Sequence, residues 1–92
     1  MGRAPAEPGE MQVTVRFFAA ARAAAGAESE TVRLGPDATI AELIDGLAAR
    51  DARLATVLSR CSYLCDGIAV RDETTTLRSG DTIDVLPPFA GG

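Results

Sequence analysis

Two segments that alternate apolar and polar residues constrain the fold of this chain most. Residues 11–18 carry apolar side chains at every second position, with Phe18 as the exception on the polar side. Residues 82–86 repeat the pattern with Ile83 and Val85 inward. The inward positions of the first segment are Val13, Val15 and Phe17. Such a period predicts strands with one buried face, and that face needs a covering layer.

The covering layer is predicted by residues 39–47. Thr39-Ile40-Ala41-Glu42 matches a capping box, in which the threonine hydroxyl and the glutamate carboxylate satisfy backbone N–H groups at the start of a helix. Spacing i, i+3, i+4, i+7 then aligns one apolar stripe: Ile40, Leu43, Ile44 and Leu47. Glu42, Asp45 and Asp51 should face water. We expect this helix to pack on the sheet.

Shorter patterns complete the layout. They predict a helix over 19–25 ending at Gly26, a strand over 28–34, a second short helix through Leu54, Val57 and Leu58, a strand at 63–65, a hairpin turn at Asp66-Gly67 and a strand at 68–70. The fold class is therefore α+β, a mixed sheet of about five strands with one main helix and short additional helices.

The 92 residues divide into one domain and two end segments. Residues 1–10 are rich in small residues and proline without periodicity, which predicts a disordered extension. Met11 is a second possible start, because the ordered pattern begins there. Residues 11–86 form the domain, and residues 87–92 form a tail.

Composition disfavours several function classes. The chain carries a net charge of −4, and its nine arginines form no basic stripe, so nucleic acid is not an expected partner. Histidine is absent and only two cysteines are present, which removes most metal and triad chemistry. No apolar run is long enough for a membrane span and no signal-peptide core precedes Met11, so we expect a cytoplasmic protein with no membrane partner.

The two cysteines are predicted to be structural. Cys61 and Cys65 are separated by three residues, and within one strand they would lie too far apart for a disulfide. A buried role is expected for at least Cys65, with a reactive sulfur relay as the weaker alternative.

The C-terminal tail carries the strongest functional signal. Its residues are Pro87, Pro88, Phe89, Ala90, Gly91 and Gly92. The prolines favour an extended course, so the tail could carry its terminal carboxylate roughly 20 Å from the domain. Gly91 and Gly92 let another backbone or a nucleotide phosphate approach closely. The pattern indicates delivery of the Gly92 carboxylate to another protein's active site, whereas the alternative is a frayed glycine-rich end.

The layout resembles the β-grasp fold of ubiquitin-like proteins, and more closely the sulfur-carrier family that includes small subunits of molybdopterin synthase. Three motifs carry the resemblance: residues 15–22 followed by Gly26, the turn and strand at 80–83, and the ending 87–92. The Phe17-Phe18-Ala19 sequence and the paired prolines favour the molybdopterin branch. Carriers for thiazole and cysteine biosynthesis share the double glycine.

The resemblance implies a site and a set of partners. An activating enzyme would use ATP and Mg²⁺ to adenylate Gly92, and a sulfurtransferase would supply the sulfur of a thiocarboxylate. That group would then donate sulfur to a pterin precursor in the large synthase subunit. This chain would bind no cofactor and would be a non-catalytic, sulfur-carrying subunit.

A docking surface is expected at the root of the tail. If the first and last strands are parallel neighbours, Phe18 and Leu86 lie at the same end of the outward sheet face, and Pro88 and Phe89 extend the apolar surface. The alternative places Phe18 in the core under the first helix. Leu64 joins the surface only if its strand has the right register.

Two other functions stay open. A ubiquitin-like modifier would be joined to target lysines, although this chain has no lysine of its own to accept a second copy. A plain β-grasp interaction module would tolerate loss of Gly91 and Gly92.

Overall fold

The computed structural model describes residues 10–88. The predicted disordered extension, residues 1–10, lies outside this range except for residue 10. The tail residues 89–92 also lie outside it. The elements in chain order are β1 Met11–Phe17, α1 Ala19–Ala25, β2 Ser29–Leu34, α2 Ile40–Ala48, α3 Ala52–Leu58, β3 Ser62–Cys65, β4 Ile68–Ala69 and β5 Thr82–Leu86. The predicted elements are confirmed, with bounds that move by one or two residues.

The strands form one mixed sheet in the order β2-β1-β5-β3-β4. The first and last strands are parallel neighbours, with Arg16 opposite Asp84 and Phe17 opposite Val85. The pairings β1–β2, β3–β5 and β3–β4 are antiparallel. Because β5 lies between β1 and β3, the strand that leads into the tail is held on both sides.

One face of the sheet carries the core. Val15 and Val85 are fully buried, as predicted from the period-two pattern. The three helices supply the opposite wall through buried side chains: Ala21, Ile40, Leu43, Leu47, Leu54 and Leu58. The other sheet face, which we call the open face, carries the polar positions of β1 and is not covered by a helix within residues 10–88.

Helix starts follow the local sequence. The Glu42 amide donates to the Thr39 hydroxyl, and the Glu42 carboxylate accepts from the Thr39 amide, which completes the predicted capping box. Asp51 was expected on the water-facing side of the main helix. It is exposed, but α2 ends at Ala48, and Asp51 instead caps α3 by accepting from the amides of Arg53 and Leu54.

Positive backbone angles shape two connections. Asp66 and Gly67 have φ of 50° and 85°, as a tight two-residue hairpin requires, and this confirms the predicted turn. Ala19, the first residue of α1, has φ of 49°, which is unusual for a residue with a Cβ. The chain therefore turns sharply between β1 and α1.

Candidate functional site

The root of the tail lies at the end of the central strand β5. Ile83 and Val85 fix this strand in the core, where they are 1% and 0% exposed. Leu86 and Pro87 are half-buried, and Pro88 is exposed. The proposed reactive residue Gly92 lies outside the described residues, so its role stays a prediction. The strand that leads to it is held in place by a neighbour on each side.

Phe18 lies beside this root. β1 ends at Phe17, and Phe18 is the N-cap residue of α1 with an extended backbone. Its exposed fraction is 39%, and it does not belong to the buried core. The alternative that buries Phe18 under α1 is therefore wrong. Because β1 and β5 are parallel with Phe17 opposite Val85, Phe18 and Leu86 follow at the same end of the sheet.

The open face changes from apolar to charged side chains with distance from the root of the tail. Nearest the root is an apolar row with Phe18 and Leu86. The next row crosses three strands through Arg16, Asp84 and Leu64, which are paired in register. Leu64 is half-buried and shares the face of Asp84, so it belongs to the open face and not to the core.

An ion pair occupies the middle of the open face. The Arg16 Nε–H donates to Asp84 Oδ1 at 2.6 Å and the Nη2–H donates to Oδ2 at 2.9 Å. Asp84 is 6% exposed and is the only buried charged residue among residues 10–88, whereas the Arg16 side chain is 52% exposed. The hydrogen bond to Asp84 and the charge of its carboxylate raise the pKa of Arg16. The geometry is the bidentate fork that Arg forms with carboxylates.

Arg16 also contacts Phe18. Its guanidinium carbon lies 5.6 Å from the centre of the Phe18 ring, a cation–π distance. The ring, the guanidinium and the Asp84 carboxylate therefore form one connected unit. Sequence reasoning did not pair the two charged members, although Arg16 and Asp84 both occupy polar positions of alternating strands.

Pro88 is exposed at the end of the described residues. It borders a groove of about 180 Å³ on the helix side, together with Ala20, Thr56, Val57 and Arg60. The expectation that Pro88 continues the Phe18 surface stays a prediction. The matching expectation for Phe89 lies outside the described residues.

Both cysteines are free and half-buried. Burial, with Asp81 and Asp66 close by, raises the pKa of Cys65 to about 11, and burial also raises the pKa of Cys61. Both thiols are protonated at neutral pH, and a protonated thiol is a poor nucleophile. Neither cysteine is therefore favoured as a sulfur relay. Cys65 faces the core side opposite Ile83 but is less buried than predicted.

Cys65, Asp66 and Asp81 bring three possible metal-ligand atoms within 4.8 Å of one another. The contacts of these groups are those of a turn. The Asp81 carboxylate accepts from the Arg78 amide and the Cys65 thiol, and Asp66 accepts from the Thr82 amide. The cluster therefore holds the β3–β4 hairpin against the start of β5. Within residues 10–88, every fully buried side-chain nitrogen or oxygen has a hydrogen-bond partner.

A membrane-spanning helix is not found within residues 10–88, where each helix is too short or too polar to cross a bilayer.

The five-stranded mixed sheet with its helical cover and a tail leaving the central strand defines a ubiquitin-like β-grasp protein. The solved ubiquitin of Caldiarchaeum subterraneum shares this fold, with a TM-score of 0.62 at 17% identity over 91% of this chain and all of that chain. The predicted fold is confirmed.

The ThiS family profile matches residues 15–92, so the chain belongs to the ThiS family of sulfur carriers. It is 31% identical over 83 residues to the molybdopterin synthase sulfur carrier subunit of Chlamydomonas reinhardtii, covering 89% of this chain and all of the relative. It is also 33% identical over 92 residues to small archaeal modifier protein 3 of Haloferax volcanii, with the same coverage.

One solved relative is a complex. Subunit 1 of the molybdopterin-converting factor of Helicobacter pylori was determined together with subunit 2, and the matched chain has a TM-score of 0.63 and 27% identity to this chain. The match covers 89% of this chain and all of that one.

Proposed function

We propose that this chain is the sulfur-carrying small subunit of a molybdopterin synthase and that the Gly92 carboxylate is its reactive group. The observation that carries the proposal is the parallel pairing of β1 and β5. That pairing places an exposed phenylalanine beside the root of a double-glycine tail, on a sheet face that no helix covers within residues 10–88. Family membership and the Chlamydomonas relative support the same reading.

The chemistry takes place on the tail. A carboxylate oxygen of Gly92 attacks the α-phosphorus of ATP in an activating enzyme, pyrophosphate leaves, and an acyl-adenylate forms. The terminal sulfur of a sulfurtransferase persulfide then attacks the carbonyl carbon and AMP leaves, which gives an acyl disulfide. A thiol attacks the sulfurtransferase sulfur of that S–S bond, forms a disulfide with it and releases the Gly92 thiocarboxylate. The resulting thiocarboxylate donates its sulfur to a pterin precursor. ATP and Mg²⁺ are bound by the activating partner and not by this chain.

The folded domain holds the tail in position for its partners. A strand held on both sides anchors the tail, and the six tail residues would reach roughly 20 Å into a partner if their backbone is extended there. Phe18 and Leu86 form the apolar part of the docking surface beside that anchor, for the activating enzyme and for the large synthase subunit. The Helicobacter pylori complex of subunits 1 and 2 supports the second of these partners.

Intact-mass measurement of the protein isolated from its own cells tests the proposal. Replacement of one C-terminal oxygen by sulfur, located to Gly92 by fragmentation, is the expected result. The control is the Gly92 deletion from the same cells, which should carry no such mass. A wild-type protein that shows only the carboxylate, under conditions in which molybdopterin is being made, would contradict the proposal.

A second candidate is a modifier of other proteins, favoured by the similarity to small archaeal modifier protein 3. Its product would be an isopeptide bond between Gly92 and a lysine of a target. Trypsin cleaves this chain for the last time after Arg78, so a modified target lysine would carry residues 79–92 as a branched remnant. Because the chain has no lysine, a peptide with that remnant must come from another protein. Digestion of cell extracts and detection of that remnant, lost on deletion of Gly92, would establish this function beside or instead of the first.

A further inference from the structure

We propose that the Arg16–Asp84 ion pair makes the open face selective for a partner that presents neutral carbonyl oxygens to Arg16. The inference rests on the docking role proposed above and specifies the chemistry of the partner's surface. It concerns a pair of residues 68 positions apart that the apolar docking surface does not include.

The ion pair lies where a docked partner would cover it. Arg16 and Asp84 lie opposite each other on β1 and β5, one row further from the tail than Phe18 and Leu86. Leu64 continues the same row on β3. A partner that covers the apolar row and extends along the sheet will therefore cover the ion pair as well.

Arg16 has donors that the domain does not use. A guanidinium carries five N–H donors, and two of them bind Asp84, which leaves three. In the described part of the chain no other acceptor bonds Arg16, whose side chain is 52% exposed, so water serves these donors in the free domain. A purely apolar partner surface would strip that water and leave buried donors unpaired, which is costly.

The charge of the pair selects the kind of acceptor. Asp84 already neutralises Arg16, and its carboxylate is almost completely buried. A carboxylate from the partner would add an uncompensated negative charge to a dried interface on a protein whose net charge is −4. A main-chain or side-chain amide carbonyl satisfies the same N–H groups without that charge. The partner is therefore expected to place such oxygens in the plane of the guanidinium, beside the Phe18 ring.

Binding of the large molybdopterin synthase subunit from the same organism tests this inference by calorimetric titration. The double variant Arg16→Leu/Asp84→Leu removes both charges together, so no lone buried charge remains. The swapped variant Arg16→Asp/Asp84→Arg keeps an ion pair but moves the guanidinium to the neighbouring strand. Thr14→Val is the matched control, because Thr14 is half-buried on the same face one row further from the tail.

We expect both charge variants to bind about tenfold more weakly or worse, as loss of hydrogen bonds to a charged group predicts, and the control to bind within about twofold of wild type. Thermal unfolding shows which variants are folded. If the double variant does not fold, the swapped variant decides.

Two results would overturn the inference while leaving the proposed function intact. Wild-type affinity in the double variant would mean that the pair only stabilises the sheet, and wild-type affinity in the swapped variant would mean that the position of Arg16 is irrelevant. If the wild-type protein itself does not bind the large subunit, the proposed docking role fails and this inference fails with it.

Discussion

Replacing Phe18 with alanine tests whether the surface beside the tail root is a docking site. The side chain leaves 39% of its surface exposed in the free domain. A phenylalanine offers roughly 200 Å² of accessible surface, so about 80 Å² remains for a partner to cover. At about 25 cal/mol per Å² this area corresponds to about 2 kcal/mol, or a change of about 30-fold in Kd.

The same variant should also lose some stability. Part of the ring is already buried in the free domain, and its contact with Arg16 is lost. We expect a loss of about 1–3 kcal/mol in the free energy of unfolding, which a small domain survives. Chemical denaturation measures this loss, and the titration with the large synthase subunit is run where each variant is fully folded.

Ile68→Ala is the matched control for Phe18→Ala. Ile68 is 72% exposed on the edge strand β4, paired with Cys65 at the end of β3 far from the tail root. Its truncation removes exposed apolar surface without touching the proposed docking site, so the Kd should stay within about twofold of wild type. Unchanged affinity in Phe18→Ala, or an equal loss in Ile68→Ala, would refute the docking argument.

Three further predictions concern the tail and the cysteines. Deletion of Gly92 should stop sulfur transfer and leave thermal unfolding unchanged, and a parallel loss of both would show that the tail is structural. The double variant Cys61→Ser/Cys65→Ser should still form the thiocarboxylate when the purified protein is supplied with its activating partners, whereas a folded variant that accepts no sulfur would place a cysteine on the transfer route. Because the pKa of Cys65 is raised from 9.0 to about 11 in the folded state, its contribution to stability should be complete below pH 9 and lost as the pH rises toward 11. Cys65→Ala should therefore reduce the alkaline fall in unfolding free energy measured by denaturation, and an unchanged slope would assign that fall to other groups.

Local sequence patterns were sufficient to predict the helices and strands. Alternation at Val13, Val15 and Phe17 identified the buried face of β1, and the capping box at Thr39 located the start of α2. Both signals act through residues a few positions apart, where strand and helix geometry decide which side chains share a face. For the same reason the turn at Asp66-Gly67 can be predicted from the sequence alone.

The function of the tail was indicated by the sequence but is not tested by the fold. Its paired prolines and double glycine indicated delivery of a carboxylate, and the family match extends through residue 92. The roles of Gly91 and Gly92 stay predictions, because they depend on contacts with partner proteins and not on the fold of this chain.

Tertiary structure alone decided the composition of the open face. The period-two pattern put Phe18 on the outward side of β1, with burial under α1 as the alternative, and only the structure shows it as the exposed N-cap residue of α1. Arg16 and Asp84 are 68 residues apart, and only the parallel pairing of β1 with β5 brings the guanidinium to the carboxylate. A contact of that kind depends on strand order and register, which are set by the packing of the whole domain and not by any segment of its sequence.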